Sequence, residues 1–225
     1  MAIILSIETA TTNCSVSLSK EGEIFALKED YNNSFSHAER LHVFIDDILK
    51  ENQIDKSEIK AIAVSKGPGS YTGLRIGVSA AKGLCFALDI PLISVSTLEA
   101  LAHQVQIEEG FIIPMLDARR MEVYADVFNA QYKSVRGIKA EVLDEMSYAE
   151  YLENNMVYFI GNGVAKTKIL IQHKHANFVE NKLPSAKQMG ALAYYKYKKS
   201  DTEDVAYFEP YYLKDFVALK PKPKL

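Results

Sequence analysis

Apolar residues fall into two different periods along this chain, and the switches between them predict its elements. "AIILSIE", "CSVSLS" and "EIFALK" are short β-prone runs, the last two joined through Glu21-Gly22, so they read as three strands linked by turns. In "SHAERLHVFIDDILKEN" the spacing changes: Leu41, Phe44, Ile45, Ile48 and Leu49 recur at the three-to-four-residue interval of one helix face. Strand "IKAIAV", the glycine-rich turn "SKGPGSYTGLRIG", a helix from about Tyr71 to Leu88 and strand "PLISVS" follow. Ser96 and Glu99 have the spacing of a capping box, which predicts another helix start. The first half therefore reads βββαβαβα.

The second half repeats much of this order. "FIIPML", "EVYADVF" and a run near "KAEVLD" are candidate strands, followed by a helix near "SYAEYLEN", strand "MVYFIG", helix "VAKTKILIQ" and strand "ANFVE". Ser185 and Gln188 then introduce "AKQMGALAYYKYKK", a helix with a tyrosine-rich face. A doubled βββαβα in an α/β chain predicts two lobes with mixed sheets, because hairpins make antiparallel pairs and helical crossovers make parallel ones. The expected division is 1–103 for the first lobe and 104–225 for a smaller second lobe. The helix over 185–200 is expected to pack back between them.

Composition narrows the function without choosing it. Net charge is −3 and lysines are mixed with acids, so there is no overall field to draw in nucleic acid. The tail "LKPKPKL" is locally basic and reads as a solvated end. The opening "MAIILSIETA" lacks a basic start and reads as a buried strand, not a signal peptide, and no apolar run approaches the ~20 residues of a membrane span. Two scattered cysteines, Cys14 and Cys85, suit a reducing cytoplasm and exclude a disulfide framework.

Several motifs invite chemistry and fail its test. The glycine turn has Leu74 and Arg75 after Gly73, where a phosphate loop needs Lys and Ser/Thr. The spacing of Gly67, Gly69 and Gly73 is not the dinucleotide pattern, and Ser70 is not in a nucleophile-elbow frame. A tight turn with Ser70 or Thr72 capping a helix accounts for it. Gly73, Gly77 and Ala81 then fall four apart, a row of small residues that lets another helix come close, whether of the same chain or of a partner. His37 and His42 point about 140° apart on a helix, His103 stands alone, and His173 and His175 read as a solvated pair, so no metal site is expected. Glu8 beside "TATT" and Asp117 ending "FIIPML" occupy equivalent places in the two halves, as in folds whose facing hairpins grip ATP. Arg119 and Arg120, however, stand where such a loop wants glycine, and Asp117 reads equally as an ion-pair partner.

"IETATTNCSVSL", "KGPGSYTGLRIGVSAAKGL", "PLISVSTLEALA", "DARRMEVYADVF" and "EPYYL" together closely resemble the TsaB (YeaZ) family, most strongly over the first 128 residues. The resemblance implies the actin-like (ASKHA) fold with two ribonuclease-H-like lobes. It implies a part in making N6-threonylcarbamoyladenosine beside the anticodon of tRNAs that read codons starting with A. It further implies a non-catalytic subunit that pairs with the related, metal-holding TsaD, supports docking of the ATPase TsaE, and meets tRNA only through the complex. The catalytic relative carries His-x-x-x-His on the helix that starts here at Ser96; this chain has Thr97 and Leu101 there, neither able to replace imidazole.

By the same resemblance the helices from about Ser36 and from Tyr71 form the partner surface. Its candidates on the first are Arg40, Leu41, Phe44, Ile45 and Ile48. On the second they are Tyr71, Thr72, Gly73, Arg75, Ile76, Gly77, Ala80 and Ala81. Pairing of the isolated chain with itself through this surface stays open. No catalytic residue, cofactor or metal is assigned. The rival readings are an ATP-dependent small-molecule kinase of the same fold, drawing on Glu8, Asp117 and "GNG" at Gly161 to Gly163, and a metal-dependent hydrolase, against which Thr97 and Leu101 argue.

Overall fold

The structure, a computed structural model, describes residues 1–31 and 37–214. In its first lobe β1 (Ile3–Glu8), β2 (Cys14–Lys20), β3 (Glu23–Asp30), β4 (Ile59–Ser65) and β5 (Leu92–Val95) form one sheet in the order β3-β2-β1-β4-β5. The hairpin strands pair antiparallel and the crossover strands parallel. The crossovers are α1 (His37–Glu51) and α2 (Tyr71–Leu88), and α3 (Thr97–Ala102) follows β5. The order expected from periodicity is the order observed. The helix start expected near Ser36 and the basic tail lie outside the described residues.

The second lobe repeats the plan. Here β6 (Phe111–Asp117), β7 (Glu122–Ala125), β9 (Lys139–Val142), β10 (Val157–Ile160) and β11 (Ala176–Val179) run β11-β10-β6-β7-β9, the first sheet's order again, with β8 (Phe128–Asn129) paired to β6. The strand expected over "EVYADVF" is broken at Asp126, whose carboxylate turns back to accept from the Val127 N–H at 2.7 Å and the Ser134 hydroxyl at 2.9 Å. Its helices are shorter than the spacing predicted: α4 spans Ala149–Leu152 and α5 spans Val164–Leu170.

Alternation within β1 and β2 explains how the first sheet is covered. Leu5, Ile7, Cys14, Val16 and Leu18 face α1 and α2 and form one core with Leu41, Ile45 and Ile48. Ile4 faces the other way, into a second core with Ala186, Met189 and Ala193. On that face β2 carries Ser15, Ser17 and Ser19, all buried. Ser15 accepts from the Ala186 N–H at 3.1 Å, and Ser17 donates to the Ala186 carbonyl at 2.8 Å. The covering element is a 3-10 turn, Ala186–Gln188, leading into α6 (Met189–Lys198). Small hydroxyl side chains thus let a helix from the far end of the chain lie flat on the first sheet. The lobes meet through α3, whose Leu98, Leu101 and Ala102 pack with Ile112 and Leu116 of β6 and Ile160 of β10.

The small-residue row of α2 has an intrachain cause. A Cβ on Gly73 would lie 2.1 Å from the Thr9 carbonyl oxygen, and one on Gly77 would lie 2.2 Å from Thr9 Oγ1. The nearest neighbour these glycines admit is the loop after β1. Gly83 differs: among the described residues nothing lies within 4 Å of its would-be Cβ. Gly77→Leu, which a helix–partner contact would leave folded, is therefore expected to unfold the chain, and Gly77→Ala to lower the thermal midpoint. Gly83→Ala, in open space on a helix, should gain about 1 kcal/mol. For a chain of this size that raises the midpoint by about 2–4 °C in calorimetry.

Candidate functional site

The C-terminal ends of β1 and β6, where Glu8 and Asp117 stand, lead into loops that face each other across a cleft. The main cavity, about 580 Å³, is bounded by Ala10 to Thr12, by Pro68 to Thr72, by Asp117 to Arg119 and by Tyr211 to Lys214. A second cavity of about 430 Å³ adjoins it, sharing Thr12 and Asn162.

Glu8 sits beneath the cleft, fully buried. Its Oε1 accepts from the Ala10 N–H at 2.6 Å and from the Ser65 hydroxyl at 2.9 Å, whereas Oε2 has no partner among the described residues. Desolvation dominates these hydrogen bonds and pushes its carboxyl up to about 7. The loop that follows is tied to α2. Ser70 N–H donates to the Ala10 carbonyl at 2.7 Å, Thr9 Oγ1 donates to the Gly73 carbonyl at 2.8 Å, and Ser70 caps α2 by accepting from Gly73 N–H. His37 Nε2 donates to the Thr11 carbonyl at 2.7 Å, fixing α1 to the same loop.

The opposite loop is built differently. Arg119 and Arg120 lie in the left-handed region, with φ of 71° and 46°, so the hairpin adopts a turn that glycine would enter more cheaply. Its interior is filled by Lys166 of α5, whose ammonium donates to Asp117 Oδ1 at 3.1 Å and to the carbonyls of Arg120 at 2.6 Å and Glu122 at 2.9 Å. Asp117 is thus in an ion pair, with Lys166 as its partner. A loop that turns carbonyls onto a lysine offers no cradle for phosphate. The "GNG" segment also has a structural cause. Asn162 Oδ1 accepts from the Asp117 N–H at 2.9 Å, and a Cβ on Gly161 would strike the Met115 carbonyl at 2.1 Å.

Thr97 and Leu101, the positions compared with a histidine pair, are both fully buried in α3, and Leu101 packs in the lobe-interface core. His103 stacks on Tyr132 with ring centres 3.9 Å apart. His175 donates to the Leu152 carbonyl at 2.8 Å and lies edge-on to His173. Among the described residues no group of three or more His, Cys, Asp or Glu is placed to hold a metal ion. No described helix is long and apolar enough to cross a membrane.

The candidate partner residues separate by exposure. Leu41, Ile45, Ile48, Gly73, Gly77, Ala80 and Ala81 are buried within the chain: the two glycines lie against Thr9, and the other five belong to the first-lobe core. Arg40 is exposed but pairs with Asp30 at 2.9 Å. Phe44, Tyr71 and Ile76 are half-buried, while Thr72 and Arg75 are exposed. Thr72, Arg75, Ser79, Gly83 and Phe86 follow at helical intervals along the outer face of α2, Phe86 being 85% exposed, and Val43 of α1 is 53% exposed. Phe86 and Val43 were not singled out from the sequence. Their signal was an apolar side chain lying off the buried stripe.

Two sheets of the same strand order, facing each other across a cleft with the helical crossovers outside, define an actin-like (ASKHA) protein of two ribonuclease-H-like lobes. A family model described as TsaD: tRNA N6-adenosine threonylcarbamoyltransferase matches residues 32–222. The tRNA threonylcarbamoyladenosine biosynthesis protein TsaB of Haemophilus influenzae is 30% identical, with 98% of this chain and 97% of that protein covered. TsaB of Escherichia coli is 31% identical, with 98% of each covered, and TsaB of Bacillus subtilis is 34% identical, with 75% of each covered. The structure of YeaZ from Pseudomonas aeruginosa superposes with a TM-score of 0.82 at 26% identity, covering 95% of this chain and all of that one. The chain belongs to the TsaB (YeaZ) family, within the wider group that includes TsaD.

Glu8 gives the lobe a dependence on pH. A folded carboxyl raised from 4.5 to about 7 favours the protonated form, so its stabilising contribution is complete below 4.5 and is lost as pH rises through 7. The full excursion is about 3 kcal/mol by the usual conversion of pKa to free energy. Urea unfolding midpoints of the wild type should fall between pH 5 and 7.5, and Glu8→Gln should remove most of that slope.

Proposed function

We propose that this chain is a non-catalytic scaffold subunit in the biosynthesis of tRNA threonylcarbamoyladenosine, acting by contact in the cytoplasm. The observation that carries the reading is near full-length similarity to two proteins named for that biosynthesis. Its catalytic partner is TsaD, the protein of the matching family model, and TsaE docks on the pair. Transfer chemistry belongs to TsaD. The buried Thr97 and Leu101 support that division, since a metal would need donors that face solvent or substrate.

The outer face of α2 is the proposed contact. Glycine in a helix costs roughly 1 kcal/mol against alanine, and Gly83, unlike Gly73 and Gly77, has no neighbour among the described residues to require it. A partner helix seated on Gly83, beside exposed Phe86 and Arg75, supplies the missing reason. A second copy of the chain could use the same face when TsaD is absent. The kinase alternative is disfavoured by Lys166, which fills the loop that would have to receive phosphate.

Mixed with a cognate TsaD, the wild type should co-elute in size exclusion and be required for efficient transfer to tRNA. Gly83→Leu should weaken the complex more than tenfold without lowering the chain's own thermal midpoint. Absence of a complex with the wild type, or equal transfer without it, refutes the scaffold role.

A further inference from the structure

The segment after α6 runs back across the first lobe and then over the cleft, and its two halves are held very differently. In the first half Glu203 N–H donates to the Leu92 carbonyl at 2.8 Å, Val205 and Phe208 pack on the main core, and Lys82 donates to the carbonyls of Ala206 and Phe208 at 3.0 and 3.1 Å. The second half, from Glu209, has no residue in a core. It is held by the Tyr211 N–H donating to the Lys66 carbonyl at 2.7 Å, by Arg75, by the Tyr212 ring resting on Tyr71 with centres 5.0 Å apart, by the Tyr211 backbone lying close on Gly67, and by an ion pair of Lys214 with Glu122. Arg75 Nε donates to the Tyr212 hydroxyl at 3.1 Å while its guanidinium lies 4.1 Å from the Tyr71 ring centre. Pro210, which has no N–H to give, stands near the start of the second half.

These contacts straddle the cleft. Lys66, Tyr71 and Arg75 belong to the glycine turn and α2 of the first lobe, whereas Glu122 opens β7 of the second. Tyr211, Tyr212, Leu213 and Lys214 form one wall of the 580 Å³ cavity. We propose that residues 209–214 are a flap, hinged between Phe208 and Tyr211, whose closed position walls off the interlobe cleft. The contacts that hold it shut lie outside the packed cores, so it opens without disturbing them. This inference concerns the isolated chain and does not depend on TsaD.

The flap can be read with a thiol placed behind it. Thr12 borders both cavities, while Cys14 and Cys85 are buried with their thiols pushed up to about 12, which keeps them silent to alkylation. In the full chain carrying Thr12→Cys, adding Tyr212→Phe together with Lys214→Ala should speed iodoacetamide modification at least fivefold. Hydrogen exchange should show the Tyr211 amide at least tenfold less protected, with β1 amides unchanged. Unaltered modification and exchange would overturn the flap. So would a loss of protection shared equally by β1, since that is unfolding of the lobe and not a local opening.

Discussion

The contact on which the rest depends is the seating of the Thr9 loop against α2. Backbone and side chain of Thr9 approach so closely that only hydrogen is tolerated at Gly73 and Gly77. Thr9 Oγ1 and the Ala10 carbonyl then bond to the first turn of the helix. This one junction turns the end of β1 into the floor of the cleft, buries Glu8 beneath it and fixes the direction of α2. The outer face of that helix, with Gly83 and Phe86, is presented to solvent because the inner face is committed to the loop.

The two lobes show what duplication keeps and what it discards. Strand order and pairing sense are the same in both sheets. The loops that face each other are not. The first turns small residues toward the cleft, while the second is stiffened by two left-handed arginines and plugged by Lys166. A cleft with one accessible loop and one closed by an ammonium is a poor grip for a nucleotide triphosphate. It remains a sizeable cavity, and the strap that crosses it connects both lobes to Arg75 on the proposed docking face. A partner that competes for the Arg75 guanidinium would therefore act on the cleft as well.

Much of the fold was legible in local patterns. The period of two in "CSVSLS" and the three-to-four spacing of Leu41, Ile45 and Ile48 announced a strand and a helix, because both reflect burial on one side only. Ser70 and Ser96 marked helix starts through the N–H groups that their side chains accept from. The site was less legible. Gly73 and Gly77 stood out as small, but a row of small residues records a close neighbour without saying which. Phe86 gave only the weak signal of an apolar residue out of register.

By itself the sequence determined the order of elements, the doubled plan and the family, since these rest on periodicity and on motifs that are contiguous along the chain. Only the tertiary structure decided that the Thr9 loop occupies the glycine row, that α6 covers the serines of β2, and that Lys166 fills the second hairpin. Each of these joins residues distant in the chain through a distance of a few ångströms. Spacing along a chain records which side of an element is buried, and carries no record of what buries it.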